Sequence, residues 1–229
     1  MPTTALIVGA GSGLSASLAR LFTKEGFTVA LAARQIEKLT QLSSEIGAVS
    51  FAADASNPDE VEQLFIDIDK KIGSPNVVVY NPSYRVRGPL VELDPGEVAK
   101  TLDVTAYGGF LVAQAATKRF LQLGGGAILF TGASASVKGY AQSAPFAMGK
   151  FALRGLAQSI ARELAPKNIH VAHFVIDGAI RSAVRQDPAD NPDSTLDPDA
   201  IAQTYLSVLR QPRSAWTYEI ELRPWVENF

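Results

Sequence analysis

Short apolar runs alternate along the chain with segments whose apolar residues recur every three or four positions. Most of the runs lack polar alternation, which is typical of strands that helices cover on both faces. The segments between them have the periodicity of amphipathic helices. Six runs predict strands: Ala5–Val8, Thr28–Ala32, Val49–Ala53, Val77–Tyr80, Ala127–Phe130 and His170–Ile176.

Local signals predict where several helices begin and end. Asn57-Pro58-Asp59 offers a capping side chain and an acidic first turn. Gly26, Gly47 and Gly73 stand where three helices should end. This alternation predicts an α/β fold with a doubly wound parallel sheet flanked by helices on both faces. With no internal linker or short-period repeat, residues 1–229 are predicted to form a single domain.

Two segments interrupt the alternation. Asn81–Pro95 is a long connection after the fourth predicted strand, and Gln186–Ala200 carries five Asp and three Pro with no basic residue. The acidic segment is predicted to be a mobile surface loop, either simply solvated or a lid near the carboxyl edge of the sheet. Near the end of the chain, Trp216–Trp225 predicts a last strand followed by an aromatic tail.

Composition then excludes several classes of protein. The 229 residues are 47% apolar, which suits a substantial core, and Lys+Arg number 21 against 23 Asp+Glu. So balanced a charge provides no field to recruit nucleic acid or a membrane surface. The absence of cysteine and the presence of only two histidines predict no disulfide, thiol or metal site. No apolar stretch reaches membrane-spanning length and no signal peptide is recognisable, so the expected location is cytoplasmic.

A glycine-rich turn follows the first predicted strand and opens the first helix. It reads Gly9-Ala10-Gly11-Ser12-Gly13-Leu14. Glycines there let the backbone approach a pyrophosphate at the positive end of a helix, with the N–H groups around Ser12 to Leu14 as donors. An unoccupied tight turn is the alternative. Because the pattern lies between a strand and a helix, it indicates a nucleotide site.

The end of the second predicted strand indicates which nucleotide binds. An acidic residue at this place would accept hydrogen bonds from a ribose and repel a 2′-phosphate, whereas this chain has Ala33 and then Arg34. The pair favours NADP(H) over NAD(H), with a solvated arginine as the alternative. Asp54, just past the third strand, is either an acceptor for an adenine amino group or an ordinary turn aspartate.

Taken in order, these motifs resemble those of the short-chain dehydrogenase/reductase family, from about Thr4 to Ser182. The glycine turn is similar to that of the family, with Ser15 where its last glycine usually stands. Further along come Asp54-Ala55, Asn81 after the fourth strand, Phe146–Lys150 at the place of the Tyr-x-x-x-Lys motif, and Ile176–Ser182. The resemblance implies a Rossmann-type fold and a nicotinamide cofactor.

The resemblance also implies which residues contact that cofactor. Residues 1–130 would hold it, and residues 131–229 would supply the substrate side and the lid. The implied cofactor-binding residues are Gly9, Gly11, Ser12, Gly13, Leu14, Arg34, Asp54, Ala55, Asn81, Lys150, Ile180 and Ser182.

The catalytic groups of the family are only partly present. The family uses a tyrosine hydroxyl to move the substrate proton, a lysine that lowers its pKa and holds a ribose, a serine and an asparagine. Here the lysine is Lys150, but Phe146 stands at the tyrosine position and cannot transfer a proton. The serine position falls on Ala133, next to Ser134. The candidate catalytic residues are Lys150, Ser134, Thr105 at the asparagine position, and Tyr140 as a replacement donor or merely a packing residue.

Two functions remain open at this point, together with a purely structural role. One is an NADP(H)-dependent oxidoreductase of atypical mechanism that acts on a small carbonyl or alcohol substrate. The alternative is a catalytically inactive NADP(H)-binding sensor or regulatory protein. The resemblance implies a homodimer or homotetramer formed through two long helices, predicted at about Gly96–Leu123 and Pro145–Ala165. Arg85 and Arg87 indicate either an anionic group on the substrate or simple solvation.

Overall fold

The computed structural model describes residues 3–227 and places its strands in one parallel sheet. The strands are β1 Thr4–Val8, β2 Thr28–Ala33, β3 Val49–Ala52, β4 Val77–Tyr80, β5 Gly126–Thr131, β6 Ile169–Ile176 and β7 Glu219–Leu222. They lie in the order β3-β2-β1-β4-β5-β6-β7. The strand order therefore reverses between β1 and β4, which is where open α/β sheets bind their ligands.

Helices cover both faces of this sheet. Their bounds are α1 Leu14–Lys24, α2 Thr40–Ile46, α3 Pro58–Lys71, α4 Pro95–Leu102, α5 Gly108–Leu123, α6 Ala144–Leu164 and α7 Pro198–Leu209. Leu6 and Val8 face the core layer beneath α3, α5 and α6, and Ala5 and Ile7 face the layer beneath α1, α2 and α7. Successive strand residues point to opposite faces, so Ala5–Val8 of β1 must all be apolar. The predicted fold is confirmed.

Local signals from the sequence are also confirmed. The Asn57 side chain caps α3 by accepting from the N–H groups of Asp59 at 3.0 Å and Glu60 at 3.3 Å. Gly47 ends α2 in the left-handed conformation, with a φ of +66°. The predicted last strand is β7, which pairs with β6. Within residues 3–227, no helix combines the length and apolar character that a bilayer span requires.

The long helix predicted over Gly96–Leu123 is interrupted. After α4 the backbone widens into a π-helical turn over Asp103–Tyr107 before α5 begins. The Tyr80 hydroxyl donates to the Val104 carbonyl in this turn at 2.5 Å. Gly108 permits the approach, because a Cβ there would lie 2.5 Å from the same hydroxyl oxygen. Apolar periodicity does not reveal a single widened turn, since the pattern on either side stays helical.

The acidic segment Gln186–Ala200 is anchored by a cation from outside it. The Arg181 guanidinium lies 2.9 Å from Asp187, 3.5 Å from Asp193 and 3.9 Å from Asp197. Asp197 also caps α7, so the last residues of the predicted loop are helical. The composition of the segment could not show this partner, because Arg181 precedes it.

Candidate functional site

Two adjoining cavities open at the carboxyl ends of the strands. The first, of about 920 Å³, extends from the glycine turn towards the ends of β2 and β3. The second, of about 840 Å³, lies between the ends of β5 and β6. We call them the glycine-turn cavity and the Lys150 cavity. Asn81 and Ser83, just after β4, line both, so the two meet where the strand order reverses.

The glycine turn forms the wall between β1 and α1. Gly9 has a φ of +76°, and a Cβ there would lie 2.6 Å from the Pro82 backbone nitrogen, so both conformation and space require glycine. Added Cβ atoms at Gly11 and Gly13 would meet no atom within 4 Å, so their backbone borders open space. Among the described residues, no side chain caps α1, which leaves its positive end facing the cavities.

Ser15 and Asn81 fasten this turn to the end of β4. The Ser15 hydroxyl donates to the Gly9 carbonyl at 3.0 Å and accepts from Asn81 Nδ2 at 2.8 Å. The Asn81 backbone N–H donates to the Val8 carbonyl at 3.0 Å. A serine at this position therefore adds a brace that a glycine could not provide.

Two basic side chains lie at the far end of the glycine-turn cavity. Arg34 follows β2, and Lys38 belongs to the 3₁₀ turn Ile36–Leu39. The sequence analysis singled out Arg34 and missed Lys38. The available signal was a second basic residue four positions later, where a turn of helix brings it back towards the same strand end.

Asp54 and Ala55 line the same cavity. The Ser56 N–H and hydroxyl donate to Asp54 Oδ1 at 2.9 and 2.6 Å. Burial would raise the pKa of Asp54, but these hydrogen bonds and the charges of Arg34 and Lys100 outweigh it and lower the pKa. The carboxylate thus stays ionised and has a structural task in its turn, while it also borders the cavity.

Lys150 lies in the wall of the Lys150 cavity and is only 3% exposed. Its Nζ donates to the Thr131 carbonyl at the end of β5 at 2.8 Å. Burial lowers the pKa of Lys150 to about 8. The ammonium is therefore charged at neutral pH but loses its proton in mildly alkaline solution.

Phe146 lies one helical turn before Lys150 on α6 and lines the same cavity. Its ring centroid is 5.9 Å from Lys150 Nζ and 4.8 Å from the guanidinium carbon of Arg85. Both cations are within the range of cation–π attraction. The ring can attract these cations, but it carries no proton for a substrate.

The other predicted catalytic residues differ in whether they line the Lys150 cavity. Ser134 and Tyr140 line the Lys150 cavity, and Tyr140 is 45% exposed. Thr105 lies in the π-helical turn and is fully buried, with its hydroxyl accepting from the Tyr84 N–H at 3.4 Å. It is not among the described residues that line either cavity. The structure therefore brings Ser134 and Tyr140 to the Lys150 cavity but does not bring Thr105 to its lining.

The segment after β6 forms the opposite wall. Ile180 and Ser182 line the Lys150 cavity there, and the Ser182 N–H donates to the Arg185 carbonyl at 2.8 Å. Gly13 and Arg85 line the same cavity from the first half of the chain. The two predicted parts, residues 1–130 and residues 131–229, thus contribute jointly to it.

Comparison with known proteins agrees with this geometry. A family model described as short chain dehydrogenase matches residues 3–192. The chain belongs to the short-chain dehydrogenase family. An uncharacterized oxidoreductase of Staphylococcus aureus strain N315 is 27% identical over an alignment of 226 residues, and the match covers 96% of this chain and 96% of that protein.

Two solved structures extend the comparison to three dimensions. A short-chain dehydrogenase from Rhodopseudomonas palustris is 37% identical, with a TM-score of 0.83 over 97% of this chain and 99% of that one. A metagenomic short-chain oxidoreductase in complex with NADP is 25% identical, with a TM-score of 0.84 over 97% of both chains. Both matches extend over nearly the whole chain, so this short-chain dehydrogenase shares its fold with them.

The burial of Lys150 in this dehydrogenase predicts a pH-dependent stability. An unfolded lysine has a pKa of about 10.4, whereas the pKa of the folded group is about 8. Between these values the unfolded state binds more protons, so stability rises with pH. Relative to Lys150→Met, the wild-type free energy of unfolding should rise by roughly 2–3 kcal/mol from about pH 8 to pH 10.5.

Urea unfolding of both proteins at a series of pH values measures this difference. Other titrating groups are common to both and cancel, and loss of the bond to Thr131 adds an offset that does not depend on pH. Parallel stability curves across the window would contradict the lowered pKa.

Proposed function

We propose that this short-chain dehydrogenase is an NADP(H)-dependent oxidoreductase that acts on a small carbonyl or alcohol by an atypical mechanism. The observation that carries the proposal is the course of the two adjoining cavities. They lead from Arg34 and Lys38, past the open backbone of Gly11 and Gly13, to the buried Lys150. Such a course has a phosphate-binding end, a pyrophosphate-binding middle and a cationic reaction end.

The residues present fit a nicotinamide dinucleotide phosphate. Added Cβ atoms at Gly11 and Gly13 would occupy open space, so the bare backbone leaves room for a pyrophosphate beside the positive end of α1. Arg34 and Lys38 supply charge for a 2′-phosphate. The remaining cofactor residues of the proposal also line the cavities: Gly9, Ser12, Leu14, Asp54, Ala55, Asn81, Ile180 and Ser182. The metagenomic relative in complex with NADP supports this choice.

In this proposal Lys150 binds the cofactor and positions its ribose. Its ammonium already donates to Thr131, and its remaining N–H groups would hold ribose hydroxyls. When bound, the cofactor supplies or accepts the hydride. Because burial leaves the pKa of Lys150 at about 8, its charge and this binding weaken above that pH.

The proton must come from a group other than residue 146, because a phenyl ring has none to donate. Tyr140 and Ser134 both border the Lys150 cavity and carry hydroxyls. Positioned acid–base groups contribute roughly 10²–10⁴-fold to such reactions. We therefore assign proton transfer to Tyr140, with Ser134 orienting the substrate oxygen, and give Thr105 a positioning role within the π-helical turn.

The sensor alternative rests on the same phenylalanine. A protein that binds the cofactor without turnover needs the glycine turn, Arg34 and Lys150, and has no need for a hydroxyl at residue 146. The two functions require the same cofactor-binding contacts. They differ only in whether a group is present that transfers the substrate proton.

Cofactor binding is the first test of the proposal. We expect calorimetry to show tighter binding of NADPH than of NADH. Arg34→Ala and Lys38→Ala should each weaken NADPH roughly tenfold or more and leave NADH unchanged, because a charged hydrogen bond to the phosphate is lost. Lys24→Ala, at the far end of α1, is the matched control and should bind like the wild type. Equal affinities for both nucleotides in all four proteins would refute the role of the two basic residues.

Restoring the hydroxyl separates enzyme from sensor. In single-turnover experiments with NADPH and small carbonyl compounds, wild-type protein should show slow but measurable oxidation. Phe146→Tyr should accelerate it roughly 10²-fold or more, because a phenol beside Lys150 becomes a proton donor. Phe27→Tyr adds the same hydroxyl just before the amino end of β2 and is the control for the substitution itself. A wild type that binds NADPH but shows no oxidation, together with an active Phe146→Tyr, would establish the sensor instead.

We also infer that the chain assembles with copies of itself through neighbouring faces of α5 and α6. Tyr107 just before α5, Phe110 on α5, and Met148 and Phe151 on α6 are exposed, and the Tyr107 and Phe110 rings stack at 6.2 Å. Contiguous exposed aromatic side chains are typical of protein interfaces. A homodimer or homotetramer would cover them.

Sedimentation velocity tests this assembly. The wild type should sediment with at least twice the mass of the chain, and the double variant Phe110→Glu with Phe151→Glu should sediment as a monomer, because buried charges oppose the interface. Val91→Glu, which changes an exposed residue outside this surface, should keep the wild-type mass. A monomeric wild type would reject the assembly.

A further inference from the structure

Three arginines that line the Lys150 cavity have no carboxylate partner within ion-pair distance among the described residues. Arg85 and Arg87 come from the connection after β4, and Arg185 from the segment after β6. Arg181 and Arg223, by contrast, pair with aspartates at 2.9 and 3.0 Å. The chain thus neutralises nearby arginines but leaves these three facing a common space.

The three charges act on one another. Partial burial lowers the pKa of Arg85, and the positive charges of Arg87 and Arg185 lower it further. Like charges brought together oppose the folded arrangement unless a counter-ion joins them. An anion bound among them would remove this repulsion.

Arg85 is held towards the reacting end of the cavity. Its guanidinium carbon lies 4.8 Å from the centroid of Phe146, whose ring occupies the position of the family's tyrosine. Contact with an aromatic face restrains a guanidinium by cation–π attraction while leaving its N–H groups free to donate. Phe146 is therefore a platform that positions a cation beside Lys150.

The carboxylates of the cavity do not cancel this charge. Asp177 is 2% exposed and pairs with Lys138 at 3.3 Å and Arg223 at 3.0 Å. Glu227 also lines the cavity but, among the described residues, lies beyond ion-pair distance of the three arginines. The space between Arg85, Arg87 and Arg185 is therefore positive.

We propose that Arg85, Arg87 and Arg185 form an anion subsite for the substrate, which is a small carbonyl compound or alcohol that carries a carboxylate or a phosphate. The inference rests on the proposed oxidoreductase function and names its substrate class. The anionic group binds between the three guanidiniums, and the carbonyl oxygen then lies towards Lys150 and Phe146. Phe146 thus lacks the family's hydroxyl and instead positions Arg85.

Matched pairs of anionic and neutral compounds test the subsite. Calorimetric titrations use acetoacetate against its methyl ester, and dihydroxyacetone phosphate against dihydroxyacetone. Both the free protein and the NADPH-loaded protein are titrated, so the readout does not depend on turnover. We expect at least one anion to bind roughly tenfold or more tightly than its neutral partner, and increasing chloride to reduce the difference. The preferred anion distinguishes a carboxylate substrate from a phosphate substrate.

Variants assign the preference to named side chains. Arg85→Gln and Arg87→Gln should each reduce anion affinity roughly tenfold, whereas Arg85→Lys should restore part of it. Both glutamine variants should keep wild-type NADPH affinity, which separates this subsite from the cofactor phosphates. Arg162→Gln removes one exposed charge at the far end of α6 and should bind anions like the wild type.

Each outcome decides between the claims. If NADPH binds but neither anion is preferred over its neutral partner, the subsite is wrong and the proposed function stands. If Arg85→Gln and Arg87→Gln weaken NADPH instead of the anions, the arginines serve the cofactor and the subsite is wrong. If NADPH does not bind and the free protein also shows no anion preference, both proposals fail together.

Discussion

The close contact between the glycine turn and the start of the β4 connection is the constraint on which the site depends. Gly9 has no room for a side chain against Pro82, and the Ser15 hydroxyl bridges the Gly9 carbonyl and the Asn81 side chain. These contacts draw two chain segments together where the strand order reverses. They give the two cavities a common wall at Asn81, so that a ligand lying along one of them is directed into the other.

Beyond that wall, the proposed reaction depends on a buried cation. Lys150 is enclosed and bonded to the Thr131 carbonyl, and its burial lowers its pKa to about 8. Because residue 146 is a phenylalanine, no phenol interacts with the charge of Lys150. The phenyl ring instead contacts the guanidinium of Arg85. In the proposed function, the absence of a phenol and the placement of Arg85 both follow from the phenylalanine at residue 146. The first weakens ordinary acid–base chemistry, and the second favours an anionic ligand.

The fold was predictable because its signals are local. Buried parallel strands require continuous apolar runs, and the predicted runs differ from the observed strands by about one residue at their ends, as assignments of this kind do. Asn57 identified the start of α3 because a cap needs only its own helix. The π-helical turn at Asp103–Tyr107 escaped prediction because the Tyr80 hydroxyl that enters it comes from a different element.

For the site, the sequence by itself determined which residues follow which strand. In a parallel sheet, residues that follow the strands gather at one edge, and this brought Gly11 and Arg34 into one prediction. Lys150 was added to it by the resemblance of its motif to that of the short-chain dehydrogenase/reductase family. Only the tertiary structure decided how side chains from distant segments meet there. Arg85 lies over the Phe146 ring, Arg181 pairs with aspartates of the acidic segment, and Thr105 is fully buried. Order along the chain follows from local pattern, whereas contacts across the sheet edge depend on packing that no short stretch of sequence encodes.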